Sequence, residues 1–127
     1  IVFGDWSSDV CSSDLDKDVN VVKVVARIGA ELGVDLVKTN WTGNIETFKE
    51  VVKGCPAPVI IAGGDNMSIK NVLEMTKQSI EAGGSGVAYG RNIFQAPDPI
   101  SLTRAISLIV HQNFEVDEAV KAANLKL

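Results

Sequence analysis

Three short apolar runs recur along this chain, each preceded by an amphipathic stretch and each closing on polar or glycine-rich residues. Their ends fall at Lys38, Gly63 and Gly90, 25 and 27 residues apart. A period this short accommodates one strand and one helix. A strand that reads as a continuous apolar run is buried on both faces, as happens where crossover helices cover a parallel sheet. The repeat therefore confines the chain to α/β architecture, either a doubly wound sheet or a barrel, and in both the carboxyl ends of the strands carry the site.

The helical stretches can be placed residue by residue. Val21, Val24, Val25, Ile28 and Leu32 form one apolar stripe, with Gly33 positioned as a stop, and a strand over 34–38 follows. Asn44 is the expected N-cap of a second helix facing inward through Ile45, Phe48, Val51 and Val52 and ending at Gly54. Pro56 and Pro58 punctuate the turn into a buried strand over 59–62. Ser68 caps a third helix with Ile69, Val72, Leu73, Thr76 and Ile80 inward, closed by Gly83 and Gly84, and a strand over 86–89 follows. Asp98-Pro99 opens a helix with Ile100, Leu102, Ala105, Ile106 and Ile109 inward, and residues 116–125 add a short one. His111 reads as a solvated histidine in the last turn of the helix before it.

Residues 5–15, DWSSDVCSSDL, have neither period and match the conceptual translation of a sequencing-library adapter. The expectation is that 1–15 are a non-native, disordered segment and that 16–127 are a partial barrel domain, with fusion scars excluded from fold reasoning. The whole chain carries 12 basic and 16 acidic residues, and Asp5, Asp9 and Asp14 fall in the excluded part, leaving 12 against 13. A nearly neutral chain without basic clusters argues against nucleic acid as a partner. No apolar stretch approaches the roughly 20 residues of a membrane span, so the expected setting is soluble and cytoplasmic. Cys55 is the one cysteine outside the segment; it precedes Pro56 at a helix exit, is most simply structural, and leaves no metal or disulfide pattern.

Lys38 stands out because an ammonium in a buried strand is costly unless paired, solvated at the strand end or used for chemistry. One reading is a rim lysine reaching water; the other is a Schiff-base nucleophile. An amine attacks a ketone as the free base, and the resulting iminium is an electron sink that lets the adjacent carbon–carbon bond be made or broken without a metal. Leu36 and Lys38 share a strand face, so Lys38 points into a barrel mouth if Leu36 faces the interior. Thr39, Asn40, Trp41 and Thr42 are candidates to line the same mouth, Trp41 being more often a packing residue. Gly63-Gly64 and Gly90-Arg91, at matching ends of consecutive strands, free backbone N–H groups and add a guanidinium, a pattern suited to a phosphate dianion. Tyr89 is compatible with either side of its strand, and Asp35 and Asp65 read as isolated carboxylates.

Three motifs carry a family resemblance: Val37-Lys38-Thr39-Asn40-Trp41-Thr42-Gly43, Gly54-Cys55-Pro56-Ala57-Pro58-Val59-Ile60-Ile61-Ala62-Gly63-Gly64, and Gly90-Arg91-Asn92-Ile93-Phe94-Gln95. In this order they resemble the archaeal-type class I fructose-bisphosphate aldolases, the DhnA type within the DeoC/LacD aldolases. The resemblance runs from about Asp16 to the end and implies the C-terminal portion of a (β/α)₈ TIM barrel, helix five followed by strands six to eight with their helices. It implies Lys38 as the Schiff-base lysine, Gly63, Gly64, Gly90 and Arg91 as the substrate-phosphate site, and no metal or other cofactor. The implied partner is a small-molecule sugar phosphate, fructose 1,6-bisphosphate or a related ketose phosphate, and the parent is expected to be a homo-oligomer. The same family includes an amino-dideoxy-heptulosonate synthase of transaldolase type and a phospho-sugar thiolase; a non-catalytic phosphometabolite-binding barrel is the reading from a different class. Two departures stand out. The family follows its glycine pair with Pro-Lys, where this chain has Asp65-Asn66 and a loop one residue shorter. The family's catalytic aspartate and acid/base tyrosine come from strands one and five, upstream of Asp16, so the expectation is an inactive or nearly inactive fragment of a class I aldolase.

Overall fold

The computed structural model describes residues 17–126. The 5–15 segment lies outside them. In chain order the elements are α1 (Val19–Glu31), β1 (Val37–Thr39), α2 (Ile45–Gly54), β2 (Val59–Ala62), α3 (Ile69–Glu81), β3 (Gly86–Ala88), α4 (Arg91–Phe94), α5 (Pro99–Gln112) and α6 (Val116–Ala123). The one-turn helix α4 is the element that apolar periodicity does not announce. The starts of α2, α3 and α5 are set by the side chains expected to cap them. Asn44 accepts from the Thr47 N–H at 2.9 Å, Ser68 from Asn71 at 3.3 Å, and Asp98 from Ser101 at 3.0 Å with Pro99 in the first turn. Caps of this kind contribute about 1 kcal/mol each. Gly33 at φ +84° and Gly83 at φ +96° end α1 and α3 in the left-handed region, where a side chain would strain the backbone.

The strands form a parallel sheet in sequence order, β1-β2-β3, with Val37 opposite Val59, Lys38 opposite Ile60, and Ile60 opposite Gly86. Side chains alternate across it. Val37, Val59 and Ile61 are buried with Val22 and Ala26 of α1, Phe48 and Val51 of α2, and Cys55 and Ala82. A second cluster joins Val72 and Leu73 of α3 to Leu102, Ala105, Ile106 and Ile109 of α5 and Ala119 and Ala123 of α6. Both clusters lie on one side of the sheet. Among the described residues no helix packs on the other side, and strand order does not reverse. Sequential order with helices on a single face is an arc of a barrel wall, not a doubly wound sheet.

Two expected inward faces need correction. On α1 the buried residues are Val22, Ala26 and Gly29, whereas Val21, Val24, Val25, Ile28 and Leu32 are exposed, Leu32 by 77%. This helix is apolar on two sides, and the side carrying Ala26 and Gly29 lets its backbone approach α2 and β1 closely. Among the described residues the bulkier stripe is left largely uncovered. On α5, Ile100 is 82% exposed. It sits about 200° around the helix from Leu102, at 100° per residue, so it cannot share that face. Ile28→Lys is therefore expected to change stability by no more than about 0.5 kcal/mol in a urea titration. A loss of about 2 kcal/mol or more would place the stripe in a core.

Candidate functional site

Lys38 is the middle residue of β1, between the buried Val37 and Thr39, and its side chain points to the opposite face, the one without helices. The same face carries Ile60 and Gly86 level with it and Ala62 and Ala88 above. Gly63 lies three residues above the Lys38 row and one strand across, roughly 10 Å up and 5 Å over.

The four residues expected to hold phosphate form one cluster, and its glycines differ in their surroundings. A Cβ on Gly63 would lie 3.0 Å from the Tyr89 ring and 3.2 Å from the Asn92 carboxamide, so a larger residue would have to push both side chains back by a few tenths of an ångström. Gly64 adopts φ +63° with open space beside it, and Gly90 likewise has no neighbour within 4 Å of a Cβ position. Arg91 donates from Nη2 to the Gly64 carbonyl at 3.1 Å, which ties the end of β3 to the loop after β2. Its guanidinium also faces the Asp65 carboxylate at 3.9 Å, so Asp65 is not the isolated carboxylate expected. Both side chains are largely solvated, and the pair is worth little as a salt bridge. Its consequence is local: an anion approaching Arg91 meets a carboxylate already there.

Thr39 does not line the mouth, because it faces the helix layer with a buried hydroxyl. Trp41 packs on Phe48, ring centroids 5.1 Å apart, and the Thr42 hydroxyl is within 2.8 Å of the Thr47 hydroxyl at the start of α2. Of the four candidates, Asn40 alone keeps the alternation that puts it on the side of Lys38. Tyr89 turns to the helix layer and its hydroxyl lies 3.0 Å from Thr76 Oγ1. Burial pushes its phenol up to about 12, the Thr76 hydrogen bond offsetting only part of that. A proton held more tightly in the folded state than in the unfolded one stabilises the fold fully below about pH 10, and the contribution disappears as pH rises through 12. Because the chain has a single tyrosine, alkaline titration followed at 295 nm reports Tyr89 alone. The expected midpoint is near 12 while the fold persists; a midpoint near 10 would mean a solvated ring.

Asn92 is the residue that sequence reasoning missed. It is buried and holds the loop after β2 from within α4, donating through Nδ2 to the Gly63 carbonyl at 2.9 Å and the Asp65 carbonyl at 3.2 Å, while its Oδ1 accepts from the Met67 N–H at 3.0 Å. The available sequence cue is a polar residue directly after the glycine-arginine pair. Among the described residues no cluster of His, Cys, Asp and Glu could hold a metal ion, and no helix is long and apolar enough to cross a membrane. Cys55 is buried, with its thiol 3.5 Å from the Ala26 carbonyl.

A barrel-wall arc with a lysine facing the barrel side and a glycine-arginine cluster above it at the strand ends has the layout of a barrel enzyme site. Residues 10–96 match the family model described as DeoC/LacD family aldolase, and the chain belongs to that family. The match begins inside the 5–15 segment. An uncharacterized aldolase of Saccharolobus solfataricus is 39% identical over 109 residues, which is 85% of this chain and 40% of that protein. The 3-hydroxy-5-phosphonooxypentane-2,4-dione thiolase of Salmonella paratyphi A is 38% identical over 106 residues, 84% of this chain and 36% of that protein. The chain thus spans well under half the length of these relatives. Among solved structures, an archaeal fructose 1,6-bisphosphate aldolase superposes with a TM-score of 0.73 at 34% identity, covering 76% of this chain and 39% of that one. A second, in which the catalytic lysine is covalently bound to a carbinolamine intermediate, gives 0.71 at 34% identity, covering 74% of this chain and 38% of that one.

Proposed function

We propose that this chain supplies the Schiff-base half of a class I aldolase site, acting on a ketose phosphate such as fructose 1,6-bisphosphate in a complete barrel. The carrying observation is the placement of Lys38, alone among the ionisable residues of the described strands, on the helix-free face below a cluster that offers Arg91 and open glycine backbone. The Lys38 amine adds to the substrate ketone, the carbinolamine loses water, and the iminium accepts the electron pair of the adjacent carbon–carbon bond as it breaks. An aldehyde leaves and the enamine, once protonated and hydrolysed, releases dihydroxyacetone phosphate and restores the amine. Gly63, Gly64, Gly90 and Arg91 hold the phosphate and so fix the ketone carbon over Lys38.

Proton transfer to and from these intermediates needs an acid/base group near Lys38. Tyr89 cannot serve, since it faces the helices. The described strands offer no other on that face, so turnover by this chain alone is expected to be negligible even where the adduct forms. Relatives named as thiolases favour a second reading, in which the same lysine serves carbon–carbon cleavage with a thiol acceptor.

Borohydride reduction in the presence of dihydroxyacetone phosphate tests the proposal. A mass adduct on the peptide that contains Lys38 supports lysine chemistry. Phosphate binding without an adduct would make the site a non-covalent binder of phosphometabolites.

A further inference from the structure

We propose that Asn92 is the positioning residue of the phosphate cradle, locking the loop after β2 into its binding shape from within α4. The inference rests on the phosphate reading above. Asn92 and its neighbour Arg91 together hold three successive carbonyls: Gly63 and Asp65 by the Asn92 carboxamide, Gly64 by the guanidinium. All three peptide links are trans. In a trans peptide the N–H of the next residue points opposite to the carbonyl, so this grip turns the N–H groups of Gly64, Asp65 and Asn66 away from it. The Oδ1 bond to the Met67 N–H fixes the far end of the loop, just before the Ser68 cap of α3. Both donors and the acceptor of the carboxamide are used, and the side chain is only 5% exposed, so its orientation is set by the loop and the loop's by it.

The chemistry selects asparagine. Aspartate has the same shape but would aim oxygen at two carbonyl oxygens, and a buried donor lost in this way is not replaced by water. Gly63 takes part in the same lock, because a Cβ there would press on the carboxamide at 3.2 Å. One side chain therefore couples the ends of β2 and β3, so that Arg91 and the loop N–H groups reach a ligand as a preassembled set. A cradle assembled before binding loses less entropy on capture than one that must be ordered by the ligand.

The test uses backbone-amide chemical shifts of the 127-residue chain titrated with inorganic phosphate, for the unaltered protein, Asn92→Asp and Asn92→Ala. Expected is saturable binding by the unaltered chain at the amides of residues 64–66 and 90–91. Both variants should bind at least about ten-fold more weakly while shifts in β1 and α2 stay in place. In Asn92→Asp, protonation of the new carboxyl, which burial against two carbonyl oxygens pushes above the usual carboxylate range, restores one donor. With inorganic sulfate as the probe, the gap to the unaltered protein should therefore narrow at low pH for Asn92→Asp, while Asn92→Ala, which gains no donor, shows no recovery. Affinities within two-fold of the unaltered chain would overturn the inference. Should the variants lose their dispersed spectra, hydrogen exchange of the Asn92 Nδ2 protons in the unaltered protein decides: slow exchange that slows further with phosphate supports the lock, and exchange at the free-amide rate refutes it. An unaltered chain that shows no saturable phosphate shifts overturns the phosphate site itself, and this inference with it.

Discussion

Lys38→Met is expected to abolish the borohydride-stabilised adduct completely, with no loss of fold. The side chain it replaces is half-buried and emerges beside Ile60 on the helix-free face, so an uncharged chain of similar length fits the same space. Methionine fills irregular apolar space readily and removes the cost of a partly desolvated ammonium, so the thermal midpoint should hold or rise. Lys38→Arg separates two explanations. It keeps a cation at the position and removes the nucleophile, since a guanidinium does not deprotonate in proteins. If Lys38 only attracts the substrate electrostatically, this variant retains binding and whatever adduct was observed. If Lys38 is the nucleophile, it loses the adduct as completely as the methionine variant. The readout is the mass of the whole protein at limiting ketone and short reaction time, with the adduct of the unaltered chain mapped to the Lys38 peptide, because exposed lysines such as Lys17 and Lys53 react slowly with any carbonyl compound. Adduct persisting at full yield in both variants would move the nucleophile elsewhere.

The second large effect is on stability. Phe48 is fully buried where α1, α2, β1 and β2 meet, stacked at a tilt on Trp41 and lying 3.3 Å from the Cβ position of Gly84. Phe48→Ala removes the largest buried side chain of that cluster and leaves a cavity; the expected cost is about 3–5 kcal/mol. Small domains have total stabilities of roughly 5–15 kcal/mol, so the variant should sit at or near its unfolding transition in water. Circular dichroism during urea unfolding measures this. A midpoint shift equivalent to less than about 1 kcal/mol would mean that the ring is not in a core.

The fold was largely legible because each level of the sequence agreed with the next. Asn44, Ser68 and Asp98 announce helix starts through chemistry that needs only local geometry, and Gly33 and Gly83 announce stops in the same way. The face of Lys38 followed from the two-residue period of a strand. Legibility failed where a residue had to choose between partners far away in sequence. The α1 helix is apolar on two sides, and the sequence cannot say which one meets α2; volume decided it, through Ala26 and Gly29. Ile100 belongs to a helix whose inward stripe begins two residues later. Thr39, the last residue of β1, faces the helix layer by strand alternation, and in the loop that follows Trp41 and Thr42 turn away from the mouth because Phe48 and Thr47 of α2 provide partners there. Asn92 was hidden for a different reason: α4 is a single turn, too short for any period, and the bonds that define the residue reach back 25 to 29 positions. Lys77 is similar, a buried lysine held by the carbonyl and side chain of Asn113 and by Glu115, none of which its own helix reveals.

The in-order sheet carries a consequence for how the molecule comes together. Val37 pairs with Val59 and Ile60 with Gly86, so each strand seeks a partner only 22 or 26 positions along the chain. The entropy of closing such loops grows only logarithmically with their length, and neither pairing has to wait for the other. As the polypeptide emerges, α2 can swing β2 onto β1 before β3 exists, and α3 can then repeat the step. Assembly by successive, nearly identical additions makes each helix-strand unit a natural quantum of growth, for a ribosome elongating the chain and for a genome duplicating it.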